Sequence, residues 1–325
     1  MTATAAKNIW SYLGKFTLTH VVTISLMAVI FNGIQGLIPP DGRIALDFFE
    51  PYKLGLSGAV IEALRGIVIA LVLFPFYNLI VRSRHGKWLL FAAIWGLVLF
   101  ASMEPKPGTI EGMIYTETTL MEHLIVLFAV AVQVSVFSWL FLKWERGSDY
   151  NSRIGGNDEE TEVRVMFFKG KGYFLRFTLL HVIIYILVGS LFYQIAGYEE
   201  ALATMDEFSL WRDLESFGMV AAVFLGQIAR GAIIAMFVAP FYIEFMNKRY
   251  GWLLLFGLLF GLKVLGAIIV VPTFPIMWAD YIVGIPEITA QTFLFSLLFF
   301  AWEKRRIKKN QLSGVRKEVL QLGKQ

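Results

Sequence analysis

The chain of 325 residues contains no cysteine. A disulfide framework, a thiolate metal site and a cysteine nucleophile are therefore excluded. Charged residues are also scarce, at 17% of the sequence, whereas hydrophobic residues make up 57% and the mean hydropathy is +0.63. A soluble domain of this size needs a more polar surface, so the composition indicates an integral membrane protein that is surrounded by lipid.

Familiar catalytic and nucleotide-binding motifs are missing as well. The sequence has no GxxxxGK[ST], HExxH or GxSxG pattern, no paired Asp-rich motifs for prenyl diphosphates and no His-rich box for a di-iron oxygenase. An enzyme is therefore the least supported class, and no cofactor is predicted. The formal charge of +4 does not indicate nucleic-acid binding, because most basic residues flank apolar runs.

Eight apolar runs approach the length that a helix needs to cross about 30 Å of hydrocarbon. They predict an all-α membrane protein with about eight transmembrane helices. The predicted spans are 16–37, 58–82, 87–103, 119–143, 174–196, 216–247, 251–271 and 286–303.

The distribution of lysine and arginine between the loops predicts the orientation. One set of alternating loops, with both termini, carries 22 basic residues, and the other set carries only Arg43, Lys53, Lys106 and Arg212. Because the translocation of positive charge is disfavoured, the basic set is expected in the cytoplasm. The sequence thus predicts a multi-pass protein of the cell membrane with both termini in the cytoplasm.

Similar segments recur in the two halves of the chain. KFTLTH, which ends at His20, resembles RFTLLH, which ends at His181. EALRG followed by LFPFY, over 62–77, resembles QIARG followed by VAPFY, over 227–242. These matches predict two tandem four-helix repeats.

An even number of spans in each repeat implies a pseudo-two-fold axis along the membrane normal. The predicted organisation is a first repeat over 1–145, a polar cytoplasmic linker over 146–172, a second repeat over 173–303 and a basic cytoplasmic tail over 304–325.

Three basic residues, Arg65, Arg230 and Lys263, lie inside predicted spans and away from the cytoplasmic ends of these spans. A charge at the centre of a membrane helix costs at least about 2.5–3.5 kcal/mol on insertion scales, so each is expected to face protein or water. The two arginines occupy matching Arg-Gly positions and are candidate contacts for an anionic solute. Alternatively, they reach the outer interface or form buried pairs that hold the helices together.

The two predicted repeats differ where charge is concerned. Glu62 in the first corresponds to Gln227 in the second, and only the second has Lys263. Glu122, at the start of the fourth span, is a further candidate partner. We expect Lys263 to pair with Glu62 or Glu122. The substrate-binding candidates, which together carry a net +1 charge and leave room for an anion, are Glu62, Arg65, Glu122, Gln227, Arg230 and Lys263.

Pro75 and Pro240 follow the two arginines by ten residues each. Proline removes a backbone hydrogen bond and loosens a helix, so the pair predicts two kinks that are suited to a gate. Proline is also common in transmembrane helices that do not move, and a static role is the alternative.

His20 and His181 hold matching positions in the first and fifth spans. A pseudo-two-fold axis could bring them together as axial haem ligands or as a metal pair. The alternative is that each binds a neighbouring helix through a hydrogen bond.

Two classes of function remain open. The first is a transporter or channel that passes a small anionic or zwitterionic solute between the repeats. The second is a non-catalytic interaction, assembly or sensory protein in which the intramembrane charges lock the bundle. Lipid is the expected surrounding in both cases.

Overall fold

The computed structural model describes residues 3–39, 56–146, 171–195, 212, 217–266, 269 and 277–322. This part of the chain is all-helical and contains no strand. The predicted polar linker and most of the predicted outer loops lie outside the described residues. The helices are α1 (Ala3–Gly36), α2 (Leu56–Leu73), α3 (Gly86–Phe91), α4 (Ile110–Tyr115), α5 (Leu120–Arg146), α6 (Lys171–Ile195), α7 (Phe217–Val238), α8 (Tyr242–Met246), α9 (Gly251–Phe260) and α10 (Met277–Leu322).

Six of the eight predicted spans lie in helices that are long and apolar enough to cross a membrane. The third and seventh predicted spans instead form apolar helices of only 10–17 residues, Gly86–Phe100 and Gly251–Leu265. At 1.5 Å per residue, such helices are shorter than the hydrocarbon layer. The count of eight full spans is therefore not confirmed. The six long helices are Ile9–Gly36, Leu56–Phe76, Leu120–Arg146, Gly172–Ile195, Gly218–Met246 and Gly284–Asn310.

The two short apolar helices change geometry along their length. After α3 the chain continues as a π-helical segment over Ala92–Phe100, and after α9 it does so over Gly261–Leu265. A π-helix has wider turns than an α-helix and is found most often near functional sites. Lys263 lies inside the second of these segments.

Pro75 and Pro240 interrupt their helices as predicted. The α-helix ends at Leu73 before the first proline and at Val238 before the second. Each proline lies in a three-residue 3₁₀ turn, over Phe74–Phe76 and Ala239–Phe241. The missing amide proton accounts for both breaks.

Two groups of three helices form the bulk of the packing. Helix α1 packs on α2 and α5 in the first half of the chain, and α6 packs on α7 and α10 in the second half. The Tyr12 hydroxyl donates a hydrogen bond to the Ala70 carbonyl at 3.2 Å, and the Tyr173 hydroxyl donates to the Ala235 carbonyl at 3.1 Å. Each bond ties the first helix of a group to the second.

Aromatic side chains fill the middle of both groups. The Phe16 ring packs edge-on against Phe137 and Phe141, with centroid distances of 4.8 and 5.1 Å. The Phe177 ring packs in the same way against Phe295 and Phe299, at 4.5 and 5.1 Å. Edge-to-face pairs add to the stabilisation from burial alone.

Within each group, a carboxylate with little exposure ties the helices together at the end that carries basic residues. Glu145 accepts a hydrogen bond from the Tyr77 hydroxyl at 2.8 Å and pairs with Lys15 at 3.0 Å. Glu303 accepts from the Tyr242 hydroxyl at 2.6 Å and pairs with Arg176. These contacts hold the last long helix of each half against the helix that carries the proline.

The two short apolar helices cross between the halves. A β-carbon on Gly96 would lie 2.5 Å from the Phe237 ring, and a β-carbon on Gly261 would lie 2.3 Å from the Val72 side chain. Only glycine permits such close approach of one helix to the next. The π-helical segment of each half is therefore packed against the second helix of the other half.

Candidate functional site

The first cluster of charged side chains lies between α1 and α2. His20 Nε2 and Glu62 Oε2 are 3.1 Å apart, and the Arg65 guanidinium lies 3.6 Å from the same carboxylate oxygen. Gly66 follows Arg65 and lets α2 approach α1, since its missing β-carbon would lie 3.2 Å from the His20 ring. Glu62 is thus held by two partners within its own half.

The second cluster lies on α7 and recruits a carboxylate from the first half of the chain. Arg230 forms an ion pair with Glu111, and Gln227 Nε2 lies 3.5 Å from the other oxygen of the same carboxylate. Arg230 is only 4% exposed and Glu111 only 6%. A buried pair of this kind joins α7 to the short helix α4.

The position of Glu111 follows from local turn chemistry. Gly108 adopts a positive φ of 85°, which glycine accepts without strain, and the turn places Thr109 at the helix start. The Thr109 hydroxyl caps α4 by accepting from the Gly112 amide at 2.8 Å. Ile114, one turn after Glu111, packs on Gly226 of α7.

Both arginines also bind backbone carbonyls of the opposite half. Arg65 Nε donates to the Gly266 carbonyl at 2.7 Å. Arg230 Nη2 donates to the Ser102 carbonyl at 3.1 Å and lies 3.5 Å from the Ala101 carbonyl. Ala101 and Gly266 directly follow the two π-helical segments as their C-cap residues, and carbonyls at a helix end need partners from outside the helix. The arginines therefore face protein, as predicted, and cap these ends.

The predicted ion pair of Lys263 with Glu62 or Glu122 is wrong. Glu62 is engaged by His20 and Arg65, and no ion pair joins it to Lys263. Glu122 lies at the start of α5, where it accepts hydrogen bonds from the Thr119 amide and hydroxyl, both at 2.8 Å. This is the capping arrangement that favours a carboxylate at a helix start, so local hydrogen bonding determines where Glu122 lies.

Lys263 instead lines a small cavity in the second half of the chain, which we call the lysine cavity. Lys263 is 7% exposed, and its side chain makes no ion pair with any described residue. Arg230 and Glu111, which pair with each other, are the charged side chains that act on it electrostatically. The cavity has a volume of about 20 Å³ and is lined by Phe177, His181, Ile184, Tyr185, Ile234, Leu259, Lys263, Gln291, Thr292 and Phe295.

Tyr185 and Tyr115 connect the lysine cavity to α4. Their hydroxyl groups form a hydrogen bond in which either oxygen can donate. Burial and the nearby Glu111 carboxylate raise the pKa of the Tyr115 phenol, which lies outside the long apolar helices. The phenol is therefore neutral and available as a hydrogen-bond donor at physiological pH.

The two matching histidines have different surroundings. His20 is bound to Glu62, as the hydrogen-bonding alternative expects, whereas His181 lies beside the corresponding Gln227 and its Nε2 makes no hydrogen bond of normal geometry in the described part of the chain. Within the described ranges, no group of three or more His, Cys, Asp or Glu residues is arranged to hold a metal ion. The haem and metal hypotheses gain no support from either histidine.

Four residues of the site were not predicted from the sequence: Glu111, Tyr185, Gln291 and Thr292. Glu111 lies between the predicted spans 87–103 and 119–143, where charge and loop length indicate nothing about its tertiary partner. One feature of the sequence does point to such a partner. Gln227 stands where the first repeat has Glu62, so Arg230 needs a carboxylate from another part of the chain. Tyr185, Gln291 and Thr292 lie in apolar runs and have no pattern of their own.

Comparison with known proteins gives no match. No family model fits the sequence, and neither a curated protein nor a solved structure is significantly similar to the chain.

Proposed function

We propose that the chain is a multi-pass membrane protein of two tandem four-helix repeats, with both termini in the cytoplasm. Recurring contacts support the repeats: the Tyr12 to Ala70 bond has a counterpart in the Tyr173 to Ala235 bond. The capping of Gly266 by Arg65 has a counterpart in the capping of the Ala101 end by Arg230. The basic loops support the orientation.

This orientation is tested by labelling single cysteines, for which the cysteine-free chain gives no background. Arg212→Cys is expected to react with an impermeant maleimide in intact cells, because Arg212 belongs to the acidic, outer set of loops. Lys87→Cys and Lys308→Cys are expected to react only after the cells are opened. All three positions are exposed in the structure. Labelling of Lys87→Cys in intact cells would overturn the orientation.

We further propose that the protein transports a small anionic solute, and that the solute binds at Lys263. The observation that carries this proposal is a buried lysine without an ion pair among the described residues, beside a cavity with polar side chains. Arg230, Lys263 and Glu111 together carry a net +1 charge when the lysine is protonated. An anion beside Lys263 would balance this charge.

The arginines have a different role in this proposal from the one predicted from sequence. Both guanidinium groups contact a carboxylate and carbonyls across the two halves, although the buried Nε of Arg230 makes no hydrogen bond to a described residue. They hold the bundle, and Lys263 is the one of these three cations that makes no ion pair with a described residue. Pro75 and Pro240 stay candidates for hinges, because each breaks the helix that carries an arginine.

Transport is tested by anion flux into proteoliposomes, with chloride, acetate and phosphate offered separately. Lys263→Met is expected to reduce the flux of the accepted anion at least tenfold, since one charge-assisted contact contributes about 1.5–3 kcal/mol. Lys248→Met is the matched control, because Lys248 is about half exposed. Flux that is equal in both variants, or absent for all three anions in the wild-type protein, would contradict the proposal.

A second candidate function is a membrane interaction protein whose intramembrane charges only lock the bundle. The specific observation in its favour is the reciprocal capping of the π-helical ends by Arg65 and Arg230. It predicts a large loss of stability on removal of an arginine with no anion flux in the wild-type protein.

A further inference from the structure

The charge around the lysine cavity is unbalanced in a way that favours a single negative charge. Glu111 is the carboxylate with an electrostatic effect on Lys263, and it is already paired with Arg230. The Glu287 carboxylate is bound to the cavity-lining Gln291 and does not itself line the cavity. No carboxylate is among the described residues that line the cavity. Lys263, Arg230 and Glu111 thus leave one positive charge to be neutralised, and a multiply charged anion would bring a surplus of negative charge into the bundle.

Hydrogen-bond donors are available on several sides of this cavity. The Tyr185 and Thr292 hydroxyl groups can donate, and so can the amide of Gln291. Gln291 Nε2 gives one proton to Glu287 Oε1 at 2.8 Å and retains a second. Thr292 is 5% exposed and lies on α10 beside Gln291, so α10 contributes two donor-bearing side chains to the cavity that Lys263 also lines.

The volume of the cavity limits what can occupy it. About 20 Å³ is enough for roughly one water molecule, which requires about 10–15 Å³ on this measure. A chloride or bromide ion is larger than a water molecule but is a single atom. A carboxylate or phosphate group is considerably larger and carries a further molecule or further charge with it.

Apart from the His181 ring, the remaining lining is apolar and would remove the water from a bound ion. Its members are Phe177, Ile184, Ile234, Leu259 and Phe295. Halide ions lose their hydration shell more readily than small multiply charged anions, so an apolar lining with a few donors suits them.

We propose that the lysine cavity is a binding site for one dehydrated halide ion, held by Lys263 and by the hydroxyl groups of Tyr185 and Thr292. This inference rests on the proposed anion transport and names the class of anion. The lone cation, the absence of a lining carboxylate among the described residues and the size of one water molecule support it together.

The experiment measures the melting temperature of the detergent-solubilised full chain in sodium bromide, chloride, acetate, sulfate and gluconate at equal ionic strength. Bromide and chloride are expected to raise the melting temperature of the wild-type protein by about 2 °C or more over gluconate, in a saturable manner. Acetate and sulfate are expected to have no such effect. Lys263→Met is expected to abolish the halide response, and Lys248→Met is expected to preserve it.

A second variant tests the same site in case Lys263→Met does not fold. Thr292→Val has nearly the same shape as the wild type but lacks the hydroxyl, and we expect it to require at least a severalfold higher bromide concentration for the same shift. A Lys263-dependent response to acetate or sulfate without one to halides would overturn the halide assignment and leave anion transport in place. A wild-type melting temperature that is the same in all five salts would also overturn it. Halide binding without anion flux would instead refute transport alone.

Discussion

Arg230→Met is expected to lower the free energy of unfolding by about 3–5 kcal/mol, because it leaves the buried Glu111 carboxylate without its partner. The same change removes the donor that caps the end of the Ala92–Phe100 segment at Ser102. Arg249→Met is the matched control, since Arg249 is exposed and its main contact is the Tyr250 ring at 5.2 Å. The control is expected to change stability by less than about 0.5 kcal/mol.

A double-mutant cycle separates the loss of the pair from the loss of packing. Arg230→Met combined with Glu111→Gln is expected to be less destabilising than the sum of the two single changes, because the double variant leaves no buried charge. Thermal unfolding in detergent measures all three variants. Strict additivity, or a cost of Arg230→Met no greater than that of Arg249→Met, would remove the ion pair from the forces that join the two halves.

Gly251→Ala is expected to destabilise the protein by about 3 kcal/mol or more. Its new β-carbon would lie 1.7 Å from the carbonyl oxygen of Phe245, so the backbone between α8 and α9 must move. Gly257→Ala in the same helix is the control, because a β-carbon there would meet no atom within 4 Å. Alanine favours helix over glycine, so the control is expected to be neutral or stabilising by up to about 1 kcal/mol.

Melting temperatures of the two glycine variants in one detergent provide the measurement. Both glycines lie in the same helix, Gly251–Phe260, so the two variants share the same background. The two positions differ mainly in how closely other residues of the protein approach them. Equal melting temperatures would show that the turn before α9 can relax, and the close approach of Phe245 would then not be required for folding.

Several features of the site could be predicted from the sequence, because each depends on the chemistry of a single residue in a lipid environment. Arg65 and Arg230 had to face protein, since lipid solvates no guanidinium, and both contact carbonyls across the halves. Pro75 and Pro240 had to break their helices, since proline has no amide proton. The partner of Lys263 was predicted wrongly, because it depended on which of several carboxylates the fold brings near.

The choice between those carboxylates rests on short-range geometry. Glu122 accepts a hydrogen bond from the amide of Thr119, three residues away, and Glu62 is hydrogen-bonded to His20 on the neighbouring helix. The contact of Glu122 with Thr119 requires little additional ordering of the chain, whereas that of Glu62 with His20 depends on the packing of α2 against α1. Lys263 lies far in sequence from both carboxylates and makes no ion pair with any described residue.

The amino-acid sequence by itself determined that lipid surrounds this protein, that its fold is all-helical and where the six long apolar helices lie. Composition and run length decide these properties, because lipid forces each backbone to satisfy its own hydrogen bonds. Only the tertiary structure decided that Glu111 on the short helix α4 pairs with Arg230, and that Lys263 lines a cavity with Tyr185 and Thr292. Those contacts join residues distant in sequence, and their energies depend on separations of a few ångströms that no local pattern encodes.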